Sequence, residues 1–298
     1  MTRHLALVGP TASGKSALAL ELARARGDVE IVSLDSMQVY RGFDIGTAKP
    51  TPAERAEVVH HLVDVADPSE EWSVRRTQLG AREAIAGIEA RGRRALLVGG
   101  TGLYVRAVVD DLAIPPTDAA VRAAIDAEAE RDLAALYERL TRLDPDAAAR
   151  VEPGNRRRIV RALEVIELTG RPFSSFGPGI DDYGRPGIDV TLLGLAVEPA
   201  DLARRIEQRF ASMRAAGLVD EVRALADRPL SRTAREAIGY REVLEHLGGA
   251  CSLDDAFDAA VRRTRRFARR QRVWFRRDPR VQWIDAATRM PAVVGAAS

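Results

Sequence analysis

The chain has 298 residues, 46% of them hydrophobic and 30% charged, which is enough apolar material for a substantial core and excludes an intrinsically disordered protein. Basic and acidic residues nearly balance at 45 against 43, so total charge points to no partner, and the single cysteine, Cys251, excludes an intramolecular disulfide and a cysteine-based zinc site. At this length the expectation is one large domain carrying one small insertion.

The first residues, MTRHLALVGP, run into an apolar strand with no cationic leader, small-residue cleavage site or span-length apolar run, so the expected compartment is the cytoplasm and no membrane is involved. HLALVG reads as a buried strand, followed by a turn and by the helical pattern SALALELARARG, which stops at Gly27. IVSLD (31–35), ALLVGG (95–100) and TLLGLAV (191–197) read as further buried strands, with a helix over TQLGAREAIAGIEARG before the second of these. Strands alternating with helices predict a parallel sheet flanked by helices, an α/β fold, which the phosphate-loop motif at residues 9–16 makes one of the P-loop NTPase-like kind.

Between IPPT (114–117) and PFSSFGPGIDDYGRPG (172–187) the texture becomes alanine-rich, charged and 3.6-periodic, with helices expected over AAVRAAIDAEAERDLAALYERLTRL and NRRRIVRALEVIELTG. This predicts a small all-helical inserted domain at 116–187, with the core formed by 1–115 and 188–298. After residue 198 the chain reads as helical again and ends in an arginine-dense segment.

Gly9-Pro10-Thr11-Ala12-Ser13-Gly14-Lys15-Ser16 fits G-x-x-x-x-G-K-[ST] between a strand and a helix, the context that motif requires. Its glycines let successive backbone N–H groups converge on phosphate oxygens, the helix N-terminus adds its positive end, and Lys15 adds a point charge. Ser16 would ligate Mg²⁺, the expected cofactor. Only Lys15 and Lys49 among the 45 basic residues are lysines, which marks Lys15 as a position needing a compact ammonium; at Lys49 the same hint is no stronger than chance.

No strand offers the acid and water-activating groups of a motor ATPase or GTPase. The remaining carboxylate is Asp35, expected at the carboxyl end of a parallel strand, where open α/β sheets bind their ligands. It could cap a turn, hold Mg²⁺ through water, or act as a general base for a nucleophile that displaces a phosphate-bearing group. From these residues alone the chemistry is group transfer from or to a phosphate compound.

The blocks GPTASGKS, DSMQVYRGFDIGTAKP (35–50), VGGTGLY (98–104), NRRRIVRALEV (155–165), IGYRE (238–242) and TRRFARRQRVWFRR (264–277) together resemble the bacterial tRNA dimethylallyltransferase family, formerly called isopentenyl-diphosphate:tRNA transferases. The resemblance runs in order from about residue 5 to 285. It implies transfer of a dimethylallyl group from dimethylallyl diphosphate to the exocyclic amine of the adenine on the 3′ side of the anticodon. The phosphate loop would then hold the diphosphate leaving group, whose developing charge its donors stabilise. The resemblance further implies that Asp35 accepts the amine proton, that Thr11 lies near the oxygen joining allyl group to diphosphate, and that Arg223 clamps the diphosphate. It places Ser36, Met37 and Gln38 at the target adenine, with Gln38 able to bond an adenine edge twice. Thr101 and Arg122 match further contacts to tRNA; without the resemblance they would read as a helix cap and a solvated side chain.

Two basic stretches suit an RNA partner. RRTRRFARRQRVWFRR (262–277) holds nine arginines and no acid, and as a helix places Phe257, Val261, Thr264, Ala268, Gln271 and Phe275 on one face. Like charges crowded at i, i+3 and i+4 oppose helix formation unless phosphates or nearby carboxylates compensate. Arg156, Arg157, Arg158 and Arg161 open a second helix, where cations oppose its dipole. Arg157, Arg158, Ile159, Val160 and Arg161 match the family's Q-R-x-x-R stretch at the tRNA, with Arg157 in the place of glutamine. An anticodon stem-loop bound by both sites would deliver an unstacked base toward Asp35. One active site needs no second chain, so a monomer is expected.

Adjacent His60 and His61 diverge in a strand with no third ligand apparent, and read as packing or surface residues. Three rivals remain at this point: a small-molecule kinase, which accounts for residues 5–35 but not for the insertion or the arginine-rich helix; a relative prenylating free adenine nucleotides, which needs no broad basic surface; and an RNA-binding protein without chemistry, which leaves Asp35 beside Gln38 unexplained.

Overall fold

The computed structural model describes residues 4–177 and 183–285, so part of the 172–187 loop lies outside the described residues. The apolar runs extend because alternate side chains find opposite layers. β1 (His4–Val8) is followed by α1 (Lys15–Arg26), β2 (Val29–Ser33), α2 (Pro52–Glu57), the two-residue β3 (His60–His61), α3 (Val74–Ala90), β4 (Arg94–Gly99) and α4 (Gly102–Val109). Next come α5 (Ala119–Arg131), α6 (Leu133–Leu143), α7 (Pro145–Ala148), α8 (Arg156–Thr169) and a 3₁₀ turn at Phe173–Phe176. The chain closes with β5 (Val190–Ala196), α9 (Pro199–Ala215), α10 (Leu218–Ala226), α11 (Arg232–Arg235), α12 (Tyr240–Leu247), α13 (Leu253–Arg277) and β6 (Val281–Asp285).

The six strands form one parallel sheet in the order β3-β2-β4-β1-β5-β6. The P-loop-type parallel α/β sheet read from the sequence is therefore present. Leu5 and Leu7 of β1 pack with Leu18 and Leu22 of α1, whereas Ala6 and Val8 pack on the opposite face with Ile85 and Ile88 of α3 and Val108 of α4. This is the period-two alternation a strand imposes. A third apolar cluster gathers the segment after β2 (Val39, Tyr40, Phe43) with α9, α10, α12 and α13.

By contacts the chain divides into two compact units, Met1–Asp111 with Tyr183–Ser298, and Leu112–Asp182. The second is all helical around Ile125, Leu136, Leu140, Ile159 and Leu163. The single helix expected over 119–143 is instead two, because Asp132 ends α5 and its carboxylate accepts the Ala135 N–H to start α6. β6 has no counterpart among the expected strands: it lies at the sheet edge with Gln282 and Trp283 exposed, so its apolar pattern is faint.

Candidate active site

Because β2, β4, β1 and β5 are parallel neighbours, the segments that follow them emerge side by side at one end of the sheet. Val8 is paired with Gly99 on one side and Gly194 on the other, so the phosphate loop leaves β1 between β4 and β5. The loop turns through left-handed backbone at Gly9, Ala12 (φ 60°) and Gly14, the last at the N-cap of α1. A Cβ on Gly9 would meet the Leu195 carbonyl at 3.3 Å, so this first glycine is required by close approach to β5 as well as by its φ of 138°. Non-glycine Ala12 in this region stores strain of a kind that concentrates at functional sites.

Lys15 is buried, and its ammonium donates to the Pro10 carbonyl at 2.7 Å. Burial pulls its pKa down to about 7; Asp35 opposes that shift and Arg209 adds to it. Arg209 is itself held below its ordinary range by burial, with Asp35 and Tyr240 acting in the other direction. One turn earlier on α9, Arg205 donates to the Ser13 carbonyl at 3.3 Å. Lys15 and Arg205 thus bond carbonyls of the loop, with Arg209 and Asp35 near enough for their charges to act on Lys15, an environment that fits a polyanion adjoining a proton acceptor.

Asp35 stands two residues past β2 in a turn closed by its own side chain: Oδ1 accepts the N–H groups of Met37 (2.8 Å) and Gln38 (3.2 Å). That fixes the carboxylate and leaves Oδ2 for another partner. Tyr104, in the first turn of α4, has its phenol pushed up to about 12 by burial first, then by Tyr40, Asp35 and Glu71. Thr101 occupies the N-cap of α4 without a side-chain cap bond. The segment after Asp35 is pinned from below: Glu221 accepts the N–H groups of Asp44, Ile45 and Gly46 and the Tyr240 hydroxyl at 2.5 Å. Lys49 is buried and donates to the Tyr40 carbonyl, Asp44 and Asp64, so both lysines of the chain sit where a compact ammonium is required.

Several residues singled out from the sequence have partners within the chain. Gln38 does not present an open amide edge: it is buried, Oε1 accepts from Ser33 Oγ at 2.9 Å, and Nε2 donates to the Thr47 and Ala48 carbonyls at 3.3 Å. Arg223 on α10 is 58% exposed and pairs with Asp220 one turn back, whereas Arg209 is the arginine beside Lys15 and Asp35. Ile159 and Val160 are buried in the core of the helical unit. Arg122 and Arg161 both bind buried Glu164, at 2.7 and 2.8 Å, and Arg161 also holds the Pro115 and Pro116 carbonyls. Arg157 and Arg158 are exposed, while Arg156 is paired with Asp126 and Glu130. On α13, Arg263 and Arg265 find carboxylates on Glu236, Glu242 and Glu207, whereas Arg262, Arg266, Arg269, Arg270 and Arg276 are exposed. His61 pairs with buried Glu30 at 2.7 Å and His60 bonds the Val58 carbonyl.

Sequence reasoning missed Arg205 and Arg209. Their i, i+4 spacing in RRIEQRF was the available signal, since it puts both on one stripe of a helix starting at a strand's carboxyl end. No group of three or more His, Cys, Asp or Glu able to hold a metal occurs among the described residues. The exposed Ser16 hydroxyl on the first turn of α1 suits a hard cation whose other ligands come from the bound anion and water. No described helix is long and apolar enough to cross a membrane.

The sequence matches the model of the IPP transferase family over residues 38–278 and that of isopentenyl transferase over residues 2–63. It is 52% identical over 284 residues to the tRNA dimethylallyltransferase of Salinispora tropica, covering 94% of this chain and 88% of that protein. It is 54% identical over 290 residues to that of Kineococcus radiotolerans, covering 95% and 90%. Among solved structures, the tRNA isopentenylpyrophosphate transferase of Bacillus halodurans superposes with a TM-score of 0.71 at 39% identity, covering 100% of this chain and 94% of that one. A eukaryotic dimethylallyltransferase acting on tRNA superposes with a TM-score of 0.81 at 26% identity, covering 99% and 78%.

Proposed function

The chain belongs to the IPP transferase family, and from that premise we propose that it transfers a dimethylallyl group from dimethylallyl diphosphate to the exocyclic amine of the adenine 3′-adjacent to the anticodon in tRNA, releasing diphosphate. The observation that carries this reading is a phosphate loop whose carbonyls are bonded by buried Lys15 and by Arg205, with the charges of Arg209 and Asp35 acting on that lysine. In the transfer the allylic C–O bond breaks and its electron pair leaves on the diphosphate, while the amine nitrogen bonds to the allylic carbon and loses a proton.

Asp35, oriented by two backbone N–H groups, takes that proton on Oδ2. Lys15, the N–H groups opening α1 and Arg209 stabilise the charge that grows on the leaving group. The clamp is assigned to Arg209 rather than Arg223 because of their positions relative to Lys15. Mg²⁺ would be held by Ser16 and by diphosphate oxygens, and would neutralise part of that charge. Thr11 and Thr101 flank the reacting groups, with Ser36 and Met37 beside the adenine. Arg157, Arg158 and the exposed arginines of α13 contact the RNA backbone. The setting is a cytoplasmic monomer.

Labelled dimethylallyl diphosphate incubated separately with unmodified tRNA, ATP or AMP tests the reading. Label in tRNA alone is the expected result, and label in a free nucleotide, or none in tRNA, would refute it. Asp35→Asn should bind tRNA as the parent does but turn over roughly 10²–10⁴-fold more slowly; undiminished turnover would remove Asp35 from the mechanism.

A further inference from the structure

Gln271 lies in the buried stripe of α13, only 5% exposed, and both ends of its carboxamide are engaged. Oε1 accepts the Thr11 N–H at 2.8 Å, and Nε2 donates to the Gly100 carbonyl at 2.8 Å. One side chain therefore ties the phosphate loop to the segment that follows β4. The two are in close approach here: a Cβ on Gly100 would stand 2.5 Å from Gln271 Nε2 and 3.2 Å from the Gly9 carbonyl. One turn further along α13, the Trp274 indole closes on Gly102, where a Cβ would meet it at 2.1 Å. Both glycines of GGTG flanking Thr101 are thus shaped by α13.

The chemistry of the bridge is specific. A neutral carboxamide offers an acceptor and a donor on one rigid plane; a carboxylate would face the Gly100 carbonyl with like polarity, and an arginine or lysine would oppose the Thr11 N–H. Gln271 occupies this position in a helix where arginine is otherwise the prevailing polar residue. Backbone N–H groups of such loops ordinarily point at the anion. That of Thr11 is turned to α13 instead, so the plane of the Thr11 peptide is held by residue 271.

We propose that Gln271 is a positioning residue for prenyl transfer, acting through Thr11: it orients the Thr11 hydroxyl toward the oxygen that leaves with the diphosphate. The proposal rests on the function given above. It requires that loss of Gln271 reduce the chemical step more than binding, and that the loss vanish when Thr11 has no hydroxyl to orient.

Gln271→Met, of similar length and without hydrogen bonds, should lower single-turnover transfer by about 10²-fold, the scale of a displacement near 1 Å at a reacting centre. The KM for dimethylallyl diphosphate and tRNA affinity should change by about twofold or less. Thr11→Ala combined with Gln271→Met should be no slower than Thr11→Ala alone, the non-additivity of two residues acting as one unit. Gln271→Glu, which keeps the acceptor for Thr11 but not the donor to Gly100, should fall between parent and Gln271→Met. Fully additive losses, or transfer at the parental rate in Gln271→Met, would overturn the proposal, as would a Gln271→Met loss matched by equal loss of tRNA binding. If the parent itself transfers no label, the function fails first. The proposal is then read from the ¹⁵N shift of the Thr11 amide, which Gln271→Met must move and Gln271→Glu must largely keep.

Discussion

Arg209 and Arg223 stand on successive helices, and Arg209 is the arginine whose charge acts on Lys15 and which feels Asp35. Arg209→Ala should therefore raise the KM for dimethylallyl diphosphate and the Kd for inorganic diphosphate by about 10- to 100-fold, the range of a buried charge-assisted contact. Arg223→Ala, which removes an exposed pair with Asp220, should leave both within about twofold. Titration with inorganic diphosphate measures both variants. Lys15 adds a pH dependence whose sign follows from burial. Its folded pKa of about 7 lies below the unfolded 10.5, so the ligand-free protein gains stability as pH rises between those values. The bound anion restores the charge, so diphosphate affinity should be greatest below pH 7 and fall above it, by at most about tenfold per pH unit for one proton. Calorimetric titration across pH 6 to 9 reads this slope, and Lys15→Met should flatten it.

Between residue and fold, the segment 43–49 after Asp35 shows how an element is fixed without regular structure. Glu221 gathers three of its N–H groups, Lys49 ties it to Asp64, and Tyr240 stacks on Phe43 at 4.2 Å. A Cβ on Gly46 would lie 2.3 Å from the Tyr240 ring, which Phe43 blocks from retreating. Gly46→Ala should cost about 1–3 kcal/mol, an overpacking penalty read as a lowered Tm, and should impair transfer by loosening the turn that holds Asp35. The sequence block FDIGTAK showed its resemblance but not this cause, because its partners Glu221 and Tyr240 come from far along the chain. The helices split at Asp132 could have been anticipated, since aspartate is a preferred N-cap; the long run of helix formers around it masked the break.

Across the whole molecule, the legible parts were those with a local physical signature. The apolar runs of β1, β2, β4 and β5 declared a parallel sheet, and G-x-x-x-x-G-K-S declared an anion site, because strand burial and phosphate binding each demand particular residue types in sequence. Side-chain direction was not legible. Arg122 and Arg161 read as RNA contacts but face Glu164, and Gln38 read as a base reader but holds its own loop. Arg209 read as nothing, because a helical arginine looks the same whichever way it faces. Outward in the two basic stretches are Arg157, Arg158 and the exposed arginines of α13. Backbone contact through these predicts that log Kd for tRNA rises linearly with log salt, and that Arg157→Ala with Arg158→Ala lowers the slope by about 1–2; an unchanged slope would take α8 out of the interface.

The most direct measurement follows the bond that breaks. Dimethylallyl diphosphate carrying ¹⁸O at the bridging position is reacted with unmodified tRNA, and both products are analysed by mass spectrometry. The account predicts prenylated adenosine free of ¹⁸O and all of the isotope in released diphosphate, with both products formed roughly 10²–10⁴-fold more slowly by Asp35→Asn. Isotope or phosphate retained in the RNA would contradict it.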